Sequence, residues 1–386
     1  MPKPTKAATT KPSIDRAGNR GRHRLTVLDV ARVAGVSQAT VSKALNHSPE
    51  VSQETRERVV AVASGLGYRP NAIARSLKAR QTHTVGVITN DSDGVFTTAM
   101  VRGLSEVASE RGFGVFVCNS YDKVAKEQQH LELLLDKQVD GIVLMGFKVA
   151  ARGAPAVDTG STPVVYLYEY TTAIESPCIL PDDEDGARLS TGHVISLGRR
   201  RIAFINGPPT YEATRLRLRG YRDSLSEAGI GFDPALVRTA PDWNQDSGFQ
   251  LSLDVMRQSR APDAIVCGND ELAAGAILGL RELGIAVPTD VSVVGFDDRA
   301  FAAHLPIPLT TVALPLFEMG QRAAEKLFGA LQGDDLKLEI LRVPCRLVIR
   351  ESCGGRVHDG SADVGLGLTP SPNRRPSTLG QEIGPG

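Results

Sequence analysis

The chain has 386 residues, enough at roughly 150 residues per domain for two or three domains with a large hydrophobic core. Lysine plus arginine and aspartate plus glutamate each number 44, so the formal net charge is zero and the average composition does not indicate a nucleic-acid partner. Hydrophobic residues make up 41% of the chain, but polar residues interrupt every apolar run well short of the ~18–20 residues that cross a bilayer, which excludes a transmembrane helix.

Neither the N-terminus nor the cysteines indicate an export signal or a metal site. No apolar stretch follows the basic N-terminal residues, so we expect no secretory signal, no membrane partner and a cytoplasmic protein. The cysteines are widely separated, which favours buried free thiols over a zinc or redox site. Walker, His-Glu-x-x-His and Gly-x-Ser-x-Gly motifs are missing from the sequence, so we predict no catalytic residues, metal or cofactor.

Both ends of the chain have compositions typical of disorder. Residues 1–24 contain seven Lys/Arg, one Asp and almost nothing apolar, so ordering them would cost entropy without burying apolar surface. We predict a disordered basic arm over residues 1–24 and a disordered Gly/Pro/Ser-rich tail over residues 354–386.

The first ordered element is predicted to be a short helix. Thr26 precedes an apolar stretch, and Asp29 stands three residues later as the acid of a capping box. The helix ends at Gly35, and its predicted apolar face contains Ala31, Val33 and Ala34.

Two further helices follow closely. Ser37 is the expected N-cap of a helix over 38–45 that stops near Asn46. Ser52 opens a third helix, which Gly65 and Gly67 are expected to end. The residues predicted to face its core are Val59, Val60 and Ala63.

Two short helices joined by a Gly-containing turn, with a third helix that closes the core, form the helix-turn-helix pattern. The alternative at this stage is an ordinary small helical subdomain. Hydrogen-bonding and small side chains on the second helix favour contact with base edges and phosphates. These side chains are Gln38, Ala39, Thr40, Ser42 and Lys43.

From residue 84 the pattern changes to alternating strands and helices, which predicts parallel sheets. We expect two similar α/β lobes in tandem, with a ligand cleft at the carboxyl ends of the strands. The predicted strands cover 84–88, 114–117, 141–144, 163–166, 201–205, 264–266 and 291–294. The predicted helices cover 100–111, 127–137, 186–196, 217–228, 247–258 and 271–283.

Several strings in one order resemble the LacI/GalR (lactose-repressor) family of bacterial transcription regulators over about residues 25–353. They are TVLDVARVAGVSQATVSKALN (26–46), VSQETRERV (51–59), GYRPNAIARSLKAR (67–80), VGVI (85–88), VVGFDD (293–298), LTTV (309–312) and LVIRES (347–352). The resemblance implies an all-α helix-turn-helix headpiece and a hinge helix. Beyond the hinge it implies an α/β core of two Rossmann-like lobes with parallel sheets, similar to periplasmic binding proteins.

The implied domains are a DNA-binding domain over 25–70, a hinge helix or linker over 71–83 and an effector-binding and dimerisation core over 84–353. Pro70 suits the start of the hinge helix, and a leucine at the position of Leu77 is expected to wedge into the minor groove of the operator. The DNA contacts that the resemblance implies are Thr26, Gln38, Ala39, Thr40, Ser42, Lys43, Asn46, Asn71, Ala74 and Leu77.

The resemblance also implies an effector pocket between the lobes. Its implied contacts are Phe96, Asp185, Arg217, Trp243, Asn269 and Asp297. At Phe96 the sequence Asp93-Gly94-Val95-Phe96 departs from the family's Asn-Pro-Phe-Phe. Structural roles remain open for Arg217 as a surface charge, Asn269 as a helix cap, Asp297 in a turn and Trp243 in the core, and the acidic run around Asp185 is alternatively a solvated helix N-terminus.

The implied function is a repressor that binds a palindromic double-stranded DNA operator as a homodimer, possibly a tetramer, under control of a sugar-like effector. The alternatives are a nucleobase effector, a protein co-regulator, or an α/β enzyme or binding protein with an accessory helical domain. The charge distribution supports DNA binding, since residues 1–80 contain 15 Lys/Arg against 5 Asp/Glu and the remainder 29 against 39. The balanced total therefore conceals a basic headpiece and an acidic core.

Overall fold

The computed structural model describes residues 25–46, 48–68, 81–92, 94–146, 151–155, 157–171 and 173–354. Within them the chain forms a three-helix unit and a two-lobed α/β core. The predicted arm, nearly all of the predicted tail and the hinge contacts Asn71, Ala74 and Leu77 lie outside the described residues. Among the described helices, none has the length and apolar character needed to cross a membrane.

The helices are α1 (Val27–Ala34), α2 (Gln38–Leu45), α3 (Gln53–Leu66), α4 (Val95–Glu110), α5 (Val124–Asp136), α6 (Asp183–Ser196), α7 (Glu212–Glu227), α8 (Gln245–Met256), α9 (Asp270–Glu282) and α10 (Leu316–Leu331). The strands are β1 (Thr84–Thr89), β2 (Gly114–Asn119), β3 (Gly141–Met145), β4 (Ala151–Arg152), β5 (Val164–Leu167), β6 (Tyr170–Thr171), β7 (Pro177–Pro181), β8 (Ile202–Asn206), β9 (Val237–Thr239), β10 (Ala264–Cys267), β11 (Ser292–Asp297), β12 (Thr310–Ala313), β13 (Glu339–Val343) and β14 (Arg346–Val348).

The caps predicted for the three-helix unit are present. The backbone N–H and the hydroxyl of Thr26 donate to Asp29 Oδ2 at 2.9 and 2.8 Å. Ser37 Oγ accepts the N–H of Thr40 at 3.1 Å, and Ser52 Oγ accepts the N–H of Thr55 at 3.4 Å. These bonds satisfy N–H groups that have no partner within their helices.

Three details of that prediction are wrong. Val33 is 58% exposed and Val60 is 40% exposed, because each directly adjoins a buried residue and successive helical residues lie ~100° apart. Gly65 is part of α3, and the helix ends at Gly67, whose φ of 67° is the left-handed conformation that glycine adopts without strain.

Each lobe of the core contains one six-stranded sheet with helices on both faces. The first lobe has the strand order β13-β7-β5-β3-β1-β2, and the second has β14-β12-β11-β10-β8-β9. The strands within each sheet are parallel except β14, which runs antiparallel to β12. Helices α4, α5 and α10 pack on the first sheet, and α6 to α9 pack on the second.

The lobes are interleaved along the chain rather than in tandem. After β12 of the second lobe, the chain returns to the first lobe as α10 and β13, then crosses again to form β14. Helix α10 packs along α4, with Gly103 of α4 against the carbonyl of Phe317 and Gly320 of α10 against the carbonyl of Met100. Three chain crossings therefore connect the lobes beside the cleft.

Helices α4, α6 and α7 begin three to five residues before their predicted starts. The first turn of α4, Val95-Phe96-Thr97-Thr98, is rich in β-branched and aromatic residues and therefore has an extended preference that tertiary packing overrides. Phe96 packs there against the hydrophobic cores of the first lobe and of the lobe interface. These early turns matter because they carry side chains into the cleft.

Candidate functional site

One face of α2 presents exposed polar and small side chains. Gln38, Ala39, Ser42, Lys43 and Asn46 are exposed, while Val41 and Ala44 are buried on the opposite face. The spacing from Ala39 to Asn46 follows the three- and four-residue repeat that places side chains on one side of a helix. The face therefore has the donors and acceptors needed to reach base edges.

Two of the predicted contacts near this face are held by neighbours. Thr40 is half-buried and its Oγ1 lies 2.9 Å from Ser37 Oγ, so part of its bonding capacity is used in the cap. The ammonium of Lys43 is paired with the carboxylate of Glu50 in the loop after α2. That pair lowers the pKa of Glu50 through the hydrogen bond and charge of Lys43.

A cavity of about 450 Å³ lies between the lobes at the carboxyl ends of the strands. This is within the ~300–1,000 Å³ typical of small-molecule sites. The first lobe contributes Asp91, Gly94, Val95, Phe96, Thr97 and Tyr168. The second lobe contributes Tyr211, Ala213, Arg217, Trp243, Asn269, Glu271, Asp297 and Arg299.

Arg217 lies at the centre of a buried charge cluster and is only 4% exposed. Its Nε and Nη2 lie 2.8 and 2.7 Å from Asp183 Oδ1, and its Nη1 donates to the carbonyl of Gly268. The guanidinium carbon is 3.7 Å from the ring centroid of Phe296. Burial opposes the charge, but the carboxylates of Asp183 and Asp297 raise the pKa of Arg217 above its usual value. Arg217 is thus an internal cation rather than a surface charge.

Two buried carboxyl groups, Asp183 and Asp297, face this cation, and a third, Asp270, lies near Asp297. Burial raises the pKa of Asp183 and of Asp297, although Arg217 opposes both shifts. Burial also raises the pKa of Asp270 to about 7, while hydrogen bonds from Thr311 and from the N–H of Arg299 oppose that shift. Arg217 is therefore shared by two buried carboxyl groups.

Asn269 and Trp243 both make structural contacts and line the cavity. Asn269 caps α9 through its Oδ1, which accepts the N–H of Leu272 at 2.8 Å, and its Nδ2 donates to the carbonyl of Trp243 at 3.0 Å. The Trp243 ring lies over Gly207, where a Cβ would stand 2.3 Å from the ring. Glycine is required there because a side chain would collide with the indole.

The first lobe contributes an aromatic wall. Phe96 and Tyr168 meet edge to face with ring centroids 6.0 Å apart. Tyr168 is buried and has a φ of 63°, which is strained for a residue with a side chain. Burial and the nearby Asp183 raise the pKa of Tyr168, so its phenol stays protonated and can donate a hydrogen bond.

Asp185 lies outside the cavity. It is exposed in the first turn of α6, where its N–H donates to Asp182 Oδ1 at 3.1 Å. Two residues earlier in the same acidic run, Asp183 is fully buried and paired with Arg217. Residues two apart on a helix point ~200° apart, so Asp183 faces Arg217 and Asp185 faces solvent.

Two family models match parts of this chain. Residues 26–71 match bacterial regulatory proteins of the lacI family, and residues 191–353 match a periplasmic binding protein-like domain. Catabolite control protein A of Priestia megaterium is 32% identical over 331 residues, which cover 85% of this chain and 99% of that protein.

This chain belongs to the lacI family of bacterial regulatory proteins. The regulator GalR of Escherichia coli K12 is 36% identical and covers 78% of this chain and 87% of its own length. The solved lac repressor dimer bound to operator and an anti-inducer is 30% identical with a TM-score of 0.72, and covers 85% of this chain and 99% of that chain. The solved structure of the regulator CelR in complex with cellobiose is 31% identical with a TM-score of 0.60. The match covers 85% of this chain and 100% of the CelR chain.

Membership of the lacI family confirms that the chain is a transcriptional regulator and not an enzyme. Several polar or aromatic residues of the cleft region were not predicted from the sequence. They are Asp91, Tyr168, Asp183, Tyr211, Glu271 and Arg299. Two signals were available, because Asp91 follows a buried strand and Glu271 follows the predicted contact Asn269 by two residues.

Proposed function

We propose that this regulator represses transcription by binding a palindromic DNA operator as a homodimer in the cytoplasm, with an affinity set by a sugar-like effector in the interlobe cleft. The supporting observation is the presence in one chain of an exposed polar face on α2 and a charged and aromatic cavity between two lobes. The proposed division is a DNA-binding domain over 25–70, a hinge over 71–83 and a core over 84–353.

The proposed DNA contacts follow from the exposed face of α2. Gln38 suits the N6 and N7 groups of adenine, and Ala39 suits a thymine methyl group. Ser42, Lys43 and Asn46 extend that surface toward phosphates, while Thr26 lies exposed at the start of α1. We assign Asn71, Ala74 and Leu77 to the hinge contact with the minor groove from the sequence resemblance alone.

Selection of binding sites from random duplex DNA tests the DNA-binding function. We expect an enriched palindrome, because two headpieces related by a two-fold axis read two equivalent half-sites. Enrichment of no sequence, with binding equal to that of bulk DNA, would contradict the proposal.

Lys43→Ala should weaken operator binding and lower the slope of log affinity against log salt by about one unit, because one phosphate contact is lost. Glu50→Gln is the matched variant, since it removes the carboxylate that pairs with Lys43 and leaves the ammonium available. We expect Glu50→Gln to raise operator affinity. Fluorescence anisotropy across a salt series measures the operator affinity and the salt slope of both variants. An unchanged slope in Lys43→Ala would show that Lys43 does not contact a phosphate.

The edge strand β2 is the proposed surface for a second copy of the chain. Within the described part of the chain β2 has a partner strand on one side only, and its Phe116 and Val117 are 51% and 45% exposed. Exposed apolar side chains on an unpaired edge mark an association surface. Phe116→Arg should shift the protein from dimer to monomer in sedimentation velocity, and a variant that stays dimeric would place the interface elsewhere.

The effector is proposed to be a sugar or sugar derivative because the cavity combines polar groups with aromatic faces. Trp243 and Tyr211 lie edge to face with centroids 5.7 Å apart, and aromatic faces accept the C–H side of a sugar ring. Five of the predicted effector contacts line the cavity from both lobes, and they are Phe96, Arg217, Trp243, Asn269 and Asp297. To shift the equilibrium between two lobe arrangements from 1:99 to 99:1, the effector must bind one arrangement about 5.5 kcal/mol more favourably than the other.

Titration calorimetry with sugars and nucleobases tests which class of ligand binds. Operator affinity measured in the presence of each ligand tests whether the bound ligand regulates DNA binding. Operator affinity that changes with a bound sugar supports the proposal. Binding of a nucleobase with no sugar bound, or intact operator binding with no response to any small molecule, would instead favour a nucleobase effector or a protein co-regulator.

A further inference from the structure

An acidic side chain lies beside the exposed face of α2. The carboxylate of Glu50 is paired with the ammonium of Lys43, and the two side chains are 64% and 50% exposed. Lys43 belongs to the face of α2 that also carries Ser42 and Asn46, opposite the buried Val41. The ion pair therefore stands at the surface that the proposed function places against DNA.

The loop that carries Glu50 is held in place on both sides. The N–H of Ser48 donates to the carbonyl of Lys43 at 3.0 Å. Nη2 of Arg56 in α3 donates to the carbonyls of Ser48 and Val51 at 2.8 and 3.3 Å, and Val51 is buried in the core of the three helices. The backbone of Glu50 thus keeps its place beside α2, and only the side chain is left to turn.

Two other acids of the headpiece have partners on their own helices. Asp29 is paired with Arg32 on α1, and Glu57 accepts a hydrogen bond from Gln53 on α3 at 2.7 Å. The hydrogen bond and charge of Lys43 lower the pKa of Glu50, so its carboxylate is ionised at neutral pH. Glu50 therefore neutralises a cation of the α2 face.

An ionised carboxylate at this surface is unfavourable on DNA unless the duplex supplies a hydrogen-bond donor. Double-stranded DNA carries one negative charge per ~1.7 Å of its axis, so Glu50 opposes the approach of phosphates, and a Lys43 held by Glu50 offers them no net charge. The donors available to a carboxylate in the major groove are base amino groups, and Glu typically accepts from N4 of cytosine. An amino group beside α2 would therefore replace Lys43 as the partner of Glu50.

We propose that Glu50 is a specificity-determining residue, which accepts a hydrogen bond from the amino group of a cytosine in each operator half-site and thereby releases Lys43 to a phosphate. Where the base at that place presents no amino group, Lys43 stays paired and the phosphate contact is not made. This inference rests on the proposed function and adds to it a residue outside α2 that discriminates between sequences. The ion pair thus couples base readout to backbone contact.

Selection of binding sites from random duplex DNA, carried out with the unmodified full chain and with Glu50→Gln, tests the base contact. We expect the unmodified protein to select a half-site with cytosine preferred at one position that depends on Glu50. Glu50→Gln should lose that preference and keep the rest of the half-site, because glutamine lacks the charge that favours an amino donor and also pairs with adenine.

Fluorescence anisotropy across a salt series, with the selected operator and with a duplex of unrelated sequence, tests the release of Lys43. Glu50→Gln should raise the affinity for the unrelated duplex by about tenfold and steepen its salt slope by about one unit, because Lys43 gains a phosphate contact there. The operator affinity should rise by only about twofold, since Lys43 already contacts a phosphate in that complex and an acceptor of the cytosine amino group is weakened. Lys43→Ala should lower the slope on the operator and leave the slope on the unrelated duplex unchanged.

Glu57→Gln is the matched control. It removes the same charge from the same headpiece, but its carboxylate bonds to Gln53 on α3 and not to a side chain of α2. We expect the selected half-site, the salt slopes and the ratio of operator affinity to unrelated affinity to match those of the unmodified protein.

Two results would overturn the inference: the same half-site selected by the unmodified protein and by Glu50→Gln, or an equal rise in affinity for operator and unrelated duplex in that variant. Either would leave Glu50 as a simple shield of Lys43. Failure of the unmodified protein to enrich any palindrome counts against the proposed function itself. An enriched palindrome in which no position depends on Glu50 counts against this inference alone.

Discussion

Arg217→Ala is expected to lower the free energy of unfolding by about 3–5 kcal/mol and to abolish the response of operator binding to effector. The variant leaves Asp183 and Asp297 buried without their cation. When one partner of a buried ion pair is removed, the desolvation cost of the remaining charged group is no longer offset. The carboxyl groups reduce that cost by taking up protons, since burial already raises their pKa values.

Urea unfolding followed by circular dichroism measures the stability effect, and operator titrations with and without effector, below the unfolding temperature, measure the response. Arg219→Ala is the control two residues further along α7, where an exposed arginine pairs with Glu184 at 3.0 Å. Because exposed pairs contribute about 0–1 kcal/mol, this variant should unfold almost as the unmodified protein does.

The double variant Arg217→Met with Asp183→Leu separates the stability role from the ligand role. Replacing a buried pair by apolar residues of similar volume is often neutral or stabilising, so most of the lost stability should return while the effector response stays absent. A double variant that regains the response would show that Arg217 acts on the fold alone.

Gly320→Ala is expected to destabilise the first lobe by about 1–3 kcal/mol, because the added Cβ would lie 2.0 Å from the carbonyl oxygen of Met100. Backbone atoms of α4 cannot rotate away as a side chain does, so α4 and α10 must separate. Gly103 makes the reciprocal contact, 2.0 Å from the carbonyl oxygen of Phe317, and Gly103→Ala should have a similar effect.

Gly192→Ala is the matched control for this helix contact. Gly192 also lies within a helix, α6, but a Cβ there would meet no heavy atom within 4 Å. The same substitution should therefore stabilise the protein by about 0.4–1 kcal/mol, because alanine reduces the conformational entropy of the unfolded chain. Equal urea midpoints for Gly320→Ala and Gly192→Ala would contradict the close approach of α4 and α10.

Local signals in the sequence predicted the headpiece well. Ser37, Ser52 and Asp29 satisfy helix-end N–H groups because short polar side chains reach nearby backbone N–H groups whatever the rest of the fold does. The errors at Val33 and Val60 have a different origin, since both are apolar and only the direction of the neighbouring helices decides which apolar residues become buried.

The cleft was predicted in part for a similar reason. Arg217, Trp243, Asn269 and Asp297 follow motifs that stand at strand ends or on the helix beside them. Asp185 was chosen from an acidic run in which only Asp183 points toward Arg217, and the orientation of α6 against α7 determines that choice. Tyr168 gave no local signal, because its role depends on the approach of the two lobes.

By itself, the sequence determined the helix caps, the polar face of α2, the buried strands and the separation of basic headpiece from acidic core, since each depends on neighbouring residues or on composition. The tertiary structure alone decided that α10 and β13 return to the first lobe and that Gly103 and Gly320 permit the contact of α4 with α10. It alone also decided that Arg217 is buried between Asp183 and Asp297 at the edge of the cavity. These features join residues far apart in the chain, and their energies depend on distance and burial, which no local pattern encodes.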